Sequence, residues 1–253
     1  MTSFSQTDDL QGARFTGVNL RGARFVESDL SGIVMRGVEI RDAEIDAPWL
    51  SDGETFFRVN GVDVISYVES ELDRRFPGRA DRRATDPEGL RSAWAALEKA
   101  WAATLDRVAT LPPETVDISV DGEWSFAQTL RHLVYATDLW LIRGALALDE
   151  APHPIGQADA ATEGDTTDQS VDPSGTPSFA EVLEVRAGRV ARVRDLLATV
   201  TEDRLAETVP NPHDPERQET VRSCLHVILE EEWEHLRFAL RDLDLIAARS
   251  TDS

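Results

Sequence analysis

The chain has 253 residues, enough for one large domain or two small ones, and its 41% hydrophobic content and six tryptophans supply a real core. A formal net charge of −21 repels phosphate backbones and anionic lipid, which excludes nucleic acid and membrane surfaces as partners. The single cysteine, Cys224, rules out an intramolecular disulfide; with no basic leader and no run of about 18 apolar residues, a soluble cytoplasmic protein is expected.

The first fifty residues keep a period of five. Leu10, Phe15, Leu20, Phe25, Leu30, Met35, Ile40 and Ile45 recur through eight repeats, and Ala13, Val18, Ala23, Ser28, Ile33, Val38 and Ala43 stand three positions after the first seven of them. That period fits neither a helix nor a strand and indicates a solenoid of short repeats. The register resembles the pentapeptide-repeat family. The resemblance implies a right-handed, four-sided β-helix over residues 5–48, with four repeats to a coil and Leu20 and Phe25 pointing inward. Two coils are too few to stand alone, so this segment should cap something else.

Residues 49–84 read as a connector. Asn60-Gly61 between β-branched residues predicts a tight hairpin, and a short helix over Tyr67–Phe76 stops at Pro77-Gly78. From residue 85 to 248 the periodicity is helical. Asp86 caps a first helix with Pro87 in its first turn, and Leu90, Trp94, Leu97, Trp101, Leu105 and Val108 form its apolar stripe. Ser125 opens a second helix, expected to run to Leu148. A polar connection over 149–177, rich in Asp, Thr, Gly and Pro, suits a lid. Ser178 with Glu181 is a capping box for a third helix, and a proline-rich turn through Pro210, Pro212 and Pro215 leads to a fourth over Glu219–Ala248. Four amphipathic helices with two long connections predict a four-helix bundle, and the fold class of the whole chain is α+β.

Glu231 and His235 share one face of the last helix, four residues apart, on a stripe that also carries Cys224, Ile228 and Phe238. Two ionisable groups on an apolar seam need compensation, and a metal ion would supply it. His132 on the second helix is the best third donor. Alternatives stay open on a helix so rich in glutamate. A histidine or an E-x-x-x-H pair is often only a solvated polar group. His226 with Glu230 makes a rival pair, on a face about 180° from His235. Glu232 and Glu234 are candidate bases, Arg237 and Arg241 could hold a carboxylate or simply pair on the helix surface, and Tyr135 is a donor or core filler. His153 and His213 lie in proline-flanked loops.

The segments Trp124-Ser125-Phe126, Thr129-Leu130-Arg131-His132-Leu133-Val134, Ala136-Thr137-Asp138, Trp140 and Glu231-Glu232-Trp233-Glu234-His235 together resemble the DinB-like superfamily of metal-binding four-helix bundles. The resemblance covers roughly residues 85 to 247. It implies three histidine ligands, one on the second helix and two at i and i+4 on the last. His132 and His235 match; the middle position is Glu231, a departure that leaves two imidazoles and a carboxylate, competent for zinc, iron, nickel or manganese. The family also implies metal-dependent S-transfer from a small thiol. Lys99 is the lone lysine against 26 basic residues in all, a bias that fits a GC-rich genome such as an actinobacterium's, where the thiol would be mycothiol. Metal-assisted hydrolysis and a non-catalytic module, including a DNA mimic, are the alternatives. The expected partner is a small-molecule substrate, with a homodimer as an open option.

Overall fold

The computed structural model describes residues 3–5, 8–26, 28–51, 53–158, 171 and 175–251. The chain divides into two units, Met1–Glu44 and Ile45–Ser253.

In the first unit the repeat is realised as a regular succession of turns. Ala13, Ala23 and Ile33 donate their N–H groups to the carbonyls of Leu10, Leu20 and Leu30 at 2.9–3.0 Å. Each of these turns is preceded by the same side-chain bond: Asp9, Asn19 and Asp29 accept from the N–H two residues on. No strand forms among the described residues of this unit. The apolar residues expected to point inward are not buried; Leu20 is 48% and Phe25 58% exposed. A column of eight repeats encloses too little volume to withdraw its side chains from water, so the period survives and the expected interior does not.

The second unit opens with the expected hairpin. Strands β1 (Arg58–Val59) and β2 (Val62–Asp63) pair antiparallel, with Val59 opposite Val62. Asn60 and Gly61 both take positive φ, 51° and 84°, the type I′ geometry that matches strand twist. Helix α1 (Ile65–Arg75) follows and ends before Gly78, where φ is 98° and a Cβ would stand 2.5 Å from that of Ala96. A 3-10 turn over Arg79–Arg83 then leads to the bundle.

Helix α2 (Pro87–Val108) is capped by Asp86, whose carboxylate accepts from Glu88 and Gly89 N–H. Helix α3 (Phe126–Thr137) carries a full capping box between Ser125 and Gln128, and α4 (Phe179–Thr199) the expected one between Ser178 and Glu181. Helix α6 (Val221–Thr251) closes the bundle, with α2 and α3 each packing against both α4 and α6. Trp94, Leu97, Leu130, Leu133, Trp233 and Leu236 lie at the centre. No helix among the described residues is long and apolar enough to cross a membrane.

Two features depart from the expected helices. Past Thr137 the second helix widens to π geometry over Asp138–Ala145 and stops short of Leu148. The proline-rich turn is a hairpin: after the short α5 (Glu202–Ala206), β3 (Thr208–Pro210) pairs with β4 (Gln218–Thr220), and α6 starts at Val221 rather than Glu219. Three-residue strands broken by proline carry no alternating pattern to read.

Candidate metal centre

Helices α3 and α6 run side by side, and their facing stripes bring His132, Glu231 and His235 together. One donor atom from each lies within 4.8 Å of the others. His132 Nε2 is 3.3 Å from Glu231 Oε2, and His235 Nδ1 is 3.4 Å from the same oxygen. His132 is buried, while Glu231 and His235 keep a partial opening to solvent.

Both imidazoles are oriented by backbone carbonyls. His132 Nδ1 lies 3.0 Å from the carbonyl oxygen of Gln157, and His235 Nδ1 lies 2.9 Å from that of Glu231, one turn back on its own helix. A carbonyl only accepts, so Nδ1 of each ring is the donor there. Glu231 Oε2 likewise only accepts, so the His132 ring donates to it from Nε2 when that nitrogen carries a hydrogen and offers a lone pair to a cation when it does not. Burial pushes the Glu231 carboxyl up, but the His132 hydrogen bond and the charges of His132, His235 and His213 outweigh it and hold the group below its ordinary value. Glu231 is therefore ionised at neutral pH.

Aromatic rings enclose the triad. The two imidazoles stack at 4.6 Å, and the Trp124 indole lies 4.7 Å from His132 and 6.1 Å from His235. Phe238 meets His235 edge-on at 5.7 Å. Neither Trp124 nor the Gln157 carbonyl was legible as part of the site. Trp124 stands just before the helix that carries His132, a position that could have suggested it; a backbone carbonyl from a loop leaves no side-chain signal.

The other residues considered go elsewhere. His226 Nε2 lies 2.8 Å from the Ala84 carbonyl, and Glu230 pairs with Arg83, so the rival pair does not form. Neither candidate base faces the triad. Glu232 is buried against Arg186, and Glu234 against Arg79 and Arg237, because successive residues on a helix point about 100° apart. Arg237 and Arg241 hold Asp46, and Arg241 also pairs with Glu123 and Asp242. Tyr135 is buried in the bundle, and Cys224 is a buried thiol. His153 is half-buried at the start of the polar connection, where its N–H bonds Asp138. His213 is exposed beside Trp140, their rings 5.5 Å apart. Most of the connection expected to form a lid lies outside the described residues.

Comparison with known proteins adds the following. The pentapeptide-repeat family matches in eight copies over residues 9–43. No curated protein matches. Among solved structures, YfiT from Bacillus subtilis, described as "a probable metal-dependent hydrolase with an unusual four-helix bundle topology", aligns at 23% identity with a TM-score of 0.41. That alignment covers 62% of this chain and 87% of YfiT, and at so low a score it carries no argument. The DinB superfamily matches residues 96–239, a span that exceeds half of the chain and includes all three members of the triad. The chain belongs to the DinB superfamily.

Proposed function

We propose that the protein is a metal-dependent enzyme acting on a small molecule, with His132, Glu231 and His235 holding one divalent ion. The observation that carries this reading is the convergence of three donors from two helices within 4.8 Å. Ligands about 2.1 Å from a tetrahedral ion stand roughly 3.4 Å apart, and His132 Nε2 and Glu231 Oε2 are separated by 3.3 Å. Two carbonyl-anchored imidazoles and an ionised carboxylate are also the donor types that a divalent cation takes. This donor set suits zinc first, then iron, nickel or manganese.

A divalent ion held there would act as a Lewis acid and lower the pKa of a thiol or water beside it. Water starts far above a thiol, whose ordinary value is about 8.5. Glu232 and Glu234, the carboxylates that could have assisted water, are committed to arginines. A small thiol is therefore the nucleophile this site is best suited to activate. We propose S-transfer, in which a thiol of the mycothiol type gives its proton to solvent, forms a C–S bond to an electrophilic carbon, and displaces that carbon's leaving group, which departs with the bonding electron pair. Trp124 and Phe238 pack against the two imidazoles and would limit water beside a bound thiol. A metal-dependent hydrolase is the reading that gains if no thiol engages the site.

Elemental analysis of protein purified without chelator tests the metal centre. One divalent ion per chain is expected. His132→Ala and His235→Ala should each lose it, while His226→Ala should keep it. Full occupancy in the His132→Ala/His235→Ala double variant would overturn the assignment.

A further inference from the structure

We propose that the first unit, Met1–Glu44, is a self-association surface whose partner is the same unit of a second copy of this chain. Every described residue from Ser3 to Glu44 is exposed, so this unit has no interior of its own. Its large apolar side chains are exposed with the rest: thirteen of them, from Phe4 to Ile40, are 40–68% exposed. At about half exposure each, side chains of this size offer on the order of 1,000 Å² of apolar area. The largest apolar patch on a monomer is typically about 300–600 Å², and a stable interface covers roughly 800 Å² on each partner. The turns are nonetheless regular, with backbone bonds at Ala13, Ala23 and Ile33. Ordering the chain in this way costs conformational entropy that a few turn bonds do not offset, and burial against a partner supplies the rest.

Charge selects the partner. The unit carries seven carboxylates and five arginines, a net of −2, while the remaining 209 residues carry −19. Two copies therefore repel through their acidic bodies and repel least here. Within the unit the sign is uneven. Arg14, Arg21 and Arg24 against Asp8 and Asp9 give residues 1–24 a net of +1, and residues 25–44 carry −3. An antiparallel two-fold pairing lays the first half of one copy on the second half of the other, twice over, so the charged halves complement each other. The period helps as well. A row of Leu and Phe every five residues meets an identical row in which small residues such as Ala13 and Ala23 leave room between the large ones.

Sedimentation velocity of the full-length protein tests this, over about 1–100 µM and at about 0.05 and 0.5 M salt. Wild type should dimerise reversibly, and the dimer should tighten several-fold as salt screens the repulsion between the acidic bodies. Phe25→Arg/Ile33→Arg should weaken it at least about tenfold. Leu245→Arg, the same change at an exposed apolar residue of α6, should leave it as it is. A wild type that stays monomeric throughout would overturn the proposal. If Phe25→Arg/Ile33→Arg then lowers the helical melting temperature, the apolar surface is covered by this chain's own bundle; if the melt is unchanged, the surface belongs to a different molecule. A dimer that survives Phe25→Arg/Ile33→Arg, or that loosens as salt rises, would put the interface elsewhere and sink the assignment.

Discussion

Arg186 on α4 meets Glu232 on α6 in the middle of the bundle, both side chains withdrawn from water. The pair joins the two helices across an otherwise apolar and aromatic interior. Among the described residues, buried Arg186 Nε and Nη1 and Glu232 Oε2 make no hydrogen bond within 3.5 Å. With Glu232 directed towards α4, helical rotation turns the neighbouring Glu231 towards α3.

Breaking that pair from one side should cost more than removing it. Arg186→Met leaves an uncompensated carboxylate in the core and should destabilise the protein by about 3–5 kcal/mol. The double variant Arg186→Met/Glu232→Leu should recover most of the loss. Urea unfolding monitored by helical circular dichroism measures both, and equal losses in the single and double variants would refute the account.

Gly78 should resist substitution for two separable reasons. Its φ of 98° is strained for any residue with a Cβ, and that Cβ would collide with Ala96 at 2.5 Å. Gly78→Ala should cost roughly 2–4 kcal/mol. Adding Ala96→Gly relieves the collision and leaves the backbone strain, so the double variant should be more stable than the two separate losses would sum to. Strict additivity in denaturant titrations would show that the helices do not approach as closely as described.

Glu69 offers a test in pH. Burial raises its carboxyl, but hydrogen bonds and charge from Arg79 and Arg82 lower it further, and the net position is below the ordinary value. A carboxylate depressed on folding stabilises the protein above its unfolded pKa and loses that contribution as pH falls through the folded one. Glu69→Gln should therefore lower the melting temperature near neutrality, and the gap to wild type should close from about pH 5 downward. A gap that widens in acid would reverse the sign and reject the pairing.

Thiol transfer makes a spectroscopic demand. With zinc bound and mycothiol or a simpler thiol in excess, absorption at the metal edge should gain a sulfur neighbour at about 2.3 Å. An electrophile should be consumed only when thiol and metal are both present. A spectrum indifferent to every thiol would reject S-transfer and favour hydrolysis.

Much of the helical architecture was legible because its signals are local. Asp86-Pro87, Ser125 and the Ser178–Glu181 box mark helix starts by the bonds their side chains make, and Asn60-Gly61 marks the hairpin by the φ values it tolerates. The i, i+4 spacing was enough to put Glu231 and His235 on one face. Helical rotation then sorts the crowded glutamates: Glu230 to Arg83, Glu231 to His132, Glu232 to Arg186 and Glu234 to Arg79 and Arg237. What stayed hidden depends on distant chain. The Gln157 carbonyl contributes no side-chain signature, and the π widening at Asp138 coincides with contacts to Arg189 and His153 that spacing does not reveal. In the repeat, the period was plain while the exposure of Leu20 and Phe25 followed from how few coils there are to enclose them.

The lone cysteine bears on how such chemistry can be measured. Cys224 is fully buried behind Gly144, and burial pushes its thiol up to about 12, so at neutral pH it is neither ionised nor within reach of a reagent. Electrophiles strong enough to label ordinary protein thiols can therefore be mixed with the folded chain without consuming it. Any thioether that accumulates in such a mixture must have drawn its sulfur from the added thiol, which makes the native protein its own blank.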